Sequence, residues 1–226
     1  MSLEVSGTSA PGLAADLADR IEPAEVLSST TSFTGHVWDI RTDVVDLGGD
    51  GGTVTRDYMQ HPGAVGIVAL RGEPGREQVL LIRQYRHPVR ALEWELPAGL
   101  LDVAGEPPHE AAARELAEEA HLGAKQWHVL VDMFSSPGGS SEAIRVFLAR
   151  DVFDAVAEGF VREGEEAGLT SGWLDLDAAV TAALEGRLHN SLLIAGVLAA
   201  ASSRERGWST LRAADAPWPE HPSYRD

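Results

Sequence analysis

Glu115, Glu118 and Glu119 fall within one short stretch, Arg114-Glu115-Leu116-Ala117-Glu118-Glu119-Ala120, and that spacing can do chemistry. On a helix, residues three and four apart share a face, so Glu115 stacks with Glu119 and Glu118 flanks both. Like charges at this spacing destabilise a helix. A hard divalent cation, Mg²⁺ or Mn²⁺, removes the repulsion and accepts oxygen ligands. Without a cation the same face is a solvated, charged surface, as on most glutamate-rich helices.

A helix must hold these residues, and the flanking sequence supplies its start. A glycine loop runs from Gly99 through Gly105 and Glu106 into Pro107-Pro108. Proline suits the first helical turn, where its missing N–H would have no partner. The helix is expected from Pro107 to Ala120, ending at His121, a residue type that tolerates positive φ better than most. Arg114 suits a supporting part, because an arginine fork grips a carboxylate bidentately. Glu106 is its expected partner across the loop.

The segment resembles the Nudix box, on the ordered matches Gly99, Glu106, Arg114, Glu115, Leu116, Glu118, Glu119 and Leu122. Glu93-Trp94-Glu95-Leu96-Pro97-Ala98-Gly99 leads into it. Two departures stand out. The loop from Gly99 to Glu106 holds six residues where the family has five, and His121 replaces the closing glycine. A distorted loop and cap with an intact carboxylate face are expected.

At 226 residues the chain can bury a sizeable core. Net charge is −17, with 35 acidic and 18 basic residues, which opposes binding to a nucleic-acid backbone. There are no cysteines, so disulfides, thiol catalysis and cysteine-bound zinc are excluded. No apolar run approaches the roughly 18 residues of a membrane span. No secretory signal is visible, and a cytoplasmic protein is expected.

Alternation from Phe33 to Gln60, interrupted by Gly48, Gly49, Gly51 and Gly52, predicts strands joined by a hairpin turn. Apolar runs at 63–70, 78–85, 127–134 and 143–148 predict further strands, and 173–176 a short last one. Asp177 is expected to cap a helix to Leu188, and Asn190 to open another to Glu205. Residues 1–29 read as a loose arm and 207–226, with no periodicity, as a surface tail. The result is an α/β fold, an α/β/α sandwich around a mixed sheet, with a β subdomain at 30–62 and the main domain at 63–206.

The resemblance covers residues 30–206 and is greatest to the ADP-ribose pyrophosphatase branch, through Gln84-Tyr85-Arg86-His87, Ser136-Pro137-Gly138, Glu142 and a late acidic loop. It implies the same fold and a homodimer built through the first strands. It also implies Mg²⁺-dependent cleavage of a nucleoside diphosphate sugar, ADP-ribose first, into AMP and ribose 5-phosphate. Glu115, Glu119 and the backbone oxygen of Ala98 would be metal ligands. Glu118 would be a further ligand or a supporting carboxylate. In the branch a glutamate of the late loop is the general base; Glu166 matches it best and Glu165 next. Arg56 and Arg86 would bind phosphate and terminal ribose, or else be surface ion-pair residues. Trp38 would stack on adenine across the dimer, or else be a core tryptophan. Glu142 would accept a ribose hydroxyl. His87, His109, His121 and His189 show no ligand spacing and read as structural. Another nucleotide sugar, an oxidised nucleotide, and a non-catalytic ADP-ribose sensor are the alternatives; the three retained helix glutamates argue against the sensor.

Overall fold

The computed structural model describes residues 17–155 and 170–224; Glu165 and Glu166 lie outside them. The chain opens with a three-stranded antiparallel sheet of β1 (Glu25–Thr34), β2 (Asp39–Asp46) and β3 (Thr53–Gln60). Gly48, Gly49 and Gly52 take positive φ and turn β2 into β3, as the glycine run predicts. The arm expected at 1–29 is corrected from Glu25 onward. Val26, Thr30 and Thr31 are β-branched residues suited to a strand, and β1 pairs with β2 along its length.

The second sheet contains β4 (Ala64–Arg71), β5 (Gln78–Arg86), β6 (Ala91–Glu95), β7 (Ala98–Leu100), β8 (Leu122–Phe134), β9 (Ala143–Asp154), β10 (Thr170–Asp175) and β11 (Arg212–Ala213). Its order is β10-β5-β4-β9-β8-β11, with β6 paired to β5 and β7 to β4. β4 and β9 run parallel while the other pairings are antiparallel, so the sheet is mixed. The helices are α1 (Pro108–Ala120), α2 (Leu176–Leu184) and α3 (Ser191–Glu205).

Side chains alternate across a strand, and here both faces are covered. Val65, Ile67 and Ala69 of β4 join Phe147 and Ala149 of β9 against Ala111, Ala112 and Leu116 of α1. Val68 and Leu70 join Val146 and Leu148 against Leu176, Leu193 and Val197 of α2 and α3. This is the expected α/β/α sandwich. Among the described residues no helix is long and apolar enough to cross a membrane.

Two local expectations change. The α2 cap is Asp175, whose carboxylate accepts the Ala178 N–H at 3.1 Å, because the helix starts two residues earlier than the sequence suggests. Asp177 instead pairs with Arg204. Asn190 caps α3 as expected, accepting the Leu193 N–H at 2.9 Å. The second change is at the C-terminus. Residues 207–224 are no loose tail, since β11 pairs with β8 and Trp218 and His221 are buried. Buried Arg145 organises them: it pairs with Asp132 at 2.8 Å, donates to the Ala216 and Pro217 carbonyls, and lies under the Trp218 ring.

Candidate active site

The buried face of α1, built on Ala111, Ala112 and Leu116, fixes which way its other residues point. Glu115, Glu118 and Glu119 then line one cleft of about 640 Å³. Ala98 and Gly99 of β7, Arg86, Glu95, Trp38, His61, Glu142 and the start of α3 line the rest. A larger cleft of about 920 Å³ lies between Ile21, Pro107, Pro108 and Trp218. Its walls hold none of the helix glutamates, so the chemistry picks out the smaller one.

Arg114 is the hub of the helix wall. Its Nε and Nη2 donate to the two oxygens of Glu106, each at 3.0 Å, which is the partnership expected across the loop. Its Nη1 donates to Glu115 at 2.6 Å and to Glu118 at 3.2 Å. The Glu106 hydrogen bonds hold the guanidinium pKa far above its ordinary value, with Glu115 adding to them against the cost of burial. Glu119 accepts the Ala98 N–H at 2.9 Å, tying the helix to β7. Gly99 completes the packing, because a Cβ there would lie 2.0 Å from the Glu115 carboxyl carbon. His121 closes α1 in the left-handed region at φ 55, as expected at that position. The loop insertion and the missing glycine therefore leave the carboxylate face intact.

On the opposite wall Arg86 forks onto the buried Glu95, at 2.7 and 2.6 Å. Antiparallel pairing of β5 with β6 brings them together. Trp38 stacks on His61 with centroids 4.3 Å apart. His61 Nε2 lies 3.2 Å from Glu142, and Ser135 donates to the same carboxylate. Burial pushes the His61 pKa below its ordinary value, and the Glu142 charge opposes that shift.

The structure thus brings Ala98, Glu115, Glu118, Glu119, Arg86, Trp38 and Glu142 into one cleft. Arg56 does not join them: it is exposed on β3 and donates to the Thr55 carbonyl. Trp38 lines the cleft of its own chain. His61, Ser135 and the role of Glu95 escape a sequence reading. The one available signal for His61 is its place before Pro62-Gly63, a corner between two strands.

Among the described residues no three acidic or histidine side chains are gathered tightly enough to enclose an ion. Arg114 draws on Glu115 and Glu118, and Glu119 is turned to the Ala98 amide. The donor set nevertheless fits a hard divalent cation, since three carboxylates share one wall with the β7 backbone. Six carboxylates face the cleft against two arginines. An anionic ligand needs added positive charge here.

The family profile of the NUDIX domain matches residues 60–194. The chain belongs to the Nudix hydrolase family. It is 44% identical over 202 residues to the ADP-ribose pyrophosphatase of Mycobacterium tuberculosis, covering 88% of this chain and 93% of that protein. It is also 35% identical over 120 residues to the ADP-ribose pyrophosphatase of Bacillus subtilis, covering 53% and 62%. A crystal structure of an ADP compounds hydrolase superposes with a TM-score of 0.66 at 21% identity, covering 84% of this chain and 99% of that one, which bears on the fold.

Proposed function

We propose that the protein hydrolyses the pyrophosphate bond of ADP-ribose to AMP and ribose 5-phosphate, with Mg²⁺ as the activating ion and Mn²⁺ as a substitute. The observation that carries this reading is the cleft's charge: three glutamates on one helix face, with carboxylates outnumbering arginines. The pyrophosphatases among the relatives supply the substrate. When bound, a divalent cation offsets charge on the attacked and leaving oxygens. Glu115, Glu119 and the Ala98 carbonyl would hold it, with Glu118 as a further ligand.

The protein's own groups do the rest. Arg114 keeps Glu115 and Glu118 in place while Glu106 keeps Arg114. Arg86, oriented by Glu95, binds phosphate and terminal ribose, and Glu142 accepts a sugar hydroxyl. Trp38 offers a flat face to adenine. Glu166 accepts the proton of the attacking water, with Glu165 as the second candidate.

Arg56 stands outside the cleft of its own chain, so its part in binding calls for a second copy. A cytoplasmic homodimer joined through residues 30–62 meets that need, and the exposed strand β1 is the kind of edge that pairs. Incubation with a panel of nucleoside diphosphate sugars, with product analysis, tests the substrate. ADP-ribose should be cleaved fastest; a preference for GDP-mannose or for an oxidised nucleotide would replace this reading. Sedimentation should give about twice the 24.1 kDa chain mass, and a fully active monomer would refute the dimer.

A further inference from the structure

His61 stands where the N-terminal sheet hands the chain to the core. β3 ends at Gln60 and β4 begins at Ala64, and the residues between are held from the β8–β9 loop. Met59 N–H donates to Gly139 O at 2.9 Å, and Ser141 N–H donates back to Met59 O at 3.0 Å. His61 N–H donates to Ser141 Oγ at 2.9 Å. The imidazole is therefore fixed at its base.

Its two nitrogens have different partners. Nδ1 accepts the Gly63 N–H at 3.0 Å, which leaves the proton on Nε2. Nε2 faces Glu142 Oε1 at 3.2 Å, and Ser135 Oγ donates to Oε2. Each carboxylate oxygen thus has one donor and keeps capacity for another. A carboxylate held this way receives hydroxyl groups and repels a phosphate. The ring face of His61 meanwhile stacks on Trp38, with an interplanar angle of 22°.

We propose that His61 is a positioning residue for substrate binding: its Nε2–H fixes Glu142 to accept a sugar hydroxyl, and its ring sets the plane of Trp38. By this route the N-terminal sheet shapes the cleft. The inference rests on reading the cleft as a nucleoside diphosphate sugar site.

The test compares His61→Phe, His61→Gln, Glu142→Gln and the double variant His61→Phe/Glu142→Gln, with ADP-ribose as substrate. Phenylalanine keeps the stack and removes the donor; glutamine keeps an amide donor near the position of Nε2. His61→Phe should raise KM about tenfold, the scale of a hydrogen bond to a charged group, with kcat within about threefold. His61→Gln should restore most of the KM. The double variant should bind no worse than the weaker single variant, because the two side chains act through one contact. An unchanged KM in His61→Phe, or fully additive losses, would overturn the proposal. If His61→Phe does not fold, His61→Asn, too short to reach Glu142, takes its place; it also loses the stack on Trp38, so its KM should rise by at least as much, and an unchanged KM would again overturn the proposal.

A readout independent of turnover separates this proposal from the substrate assignment. Long-range ¹H–¹⁵N NMR of the substrate-free protein should show the Nε2–H tautomer, with signals that move in Glu142→Gln. An Nδ1–H tautomer would overturn the positioning role, whatever the substrate proves to be.

Discussion

Gly99→Ala is a small change with a large expected consequence. The φ of Gly99 lies outside the positive range, so alanine meets no backbone strain, and the effect is a matter of space. The new Cβ would lie 2.0 Å from both Cδ and Oε1 of Glu115 and 2.3 Å from its Cγ, about 1.4 Å short of the 3.4 Å at which ordinary contact begins. Glu115 cannot swing aside freely, because Arg114 grips its oxygen at 2.6 Å while the same guanidinium is forked onto Glu106. Either the carboxylate moves by about an ångström or β7 lifts from α1 and strains the Ala98–Glu119 bond. Overpacking of this kind costs roughly 1–3 kcal/mol, a Tm loss of about 2–4 °C for each kcal/mol in a chain of this size. A 1 Å misplacement of catalytic groups costs about 10²-fold in rate. Steady-state kinetics on ADP-ribose, with circular dichroism to confirm folding, checks both. A Gly99→Ala protein with activity within threefold of the parent and unchanged Tm would show that Glu115 is not pinned as described.

Other outcomes follow from single contacts. Glu166→Gln should lower kcat by roughly 10²–10⁴ while leaving ADP-ribose affinity within a few-fold, as expected of a general base; normal turnover in Glu166→Gln with a loss in Glu165→Gln would move the base by one residue. Asp175→Ala removes the α2 cap and should cost about 1 kcal/mol, read by urea denaturation, whereas Asp177→Ala should leave the helix start intact and weaken only the exposed end of the Arg204 pairing. The pH dependence of stability should carry a His61 signature. Burial holds its pKa below the ordinary 6.5, so as pH falls through 6.5 the unfolded chain takes up a proton before the native state does, and stability drops. Above that pH the effect vanishes, and a His61→Phe protein should show a flatter Tm profile between about pH 7 and the lower folded-state pKa.

Local and periodic features were readable from sequence because their causes are local. The prolines at the start of α1, the carboxylate spacing, the left-handed His121 and the Asn190 cap each depend on a few neighbouring residues. The Asp175 cap is not legible in the sequence: two aspartates two residues apart both suit a helix start, and only hydrogen-bond geometry distinguishes them. Long-range contacts were not readable. Arg145 meets the Pro217 carbonyl across 72 positions, and His221 reaches the Pro62 carbonyl across 159. Gly63, at φ 94, leaves no room for a Cβ beneath that histidine. A segment rich in proline carries no periodic pattern, yet its Trp218 and His221 are buried by partners that only the fold supplies. His61 has the same origin, since its partners Ser141 and Glu142 lie about 80 residues away in sequence.

The most direct test of the central claim is the release of AMP from ADP-ribose by the protein, compared with Glu119→Gln and with the parent after chelation. The cleft's three helix carboxylates predict AMP and ribose 5-phosphate in equal amounts with Mg²⁺ present. They predict loss of activity on chelation that Mg²⁺ or Mn²⁺ restores. Glu119→Gln should fold normally and lose at least about 10²-fold in kcat, the scale of removing a main electrostatic stabiliser. Binding of ADP-ribose with Mg²⁺ but no AMP release, or undiminished turnover in Glu119→Gln, would contradict the account.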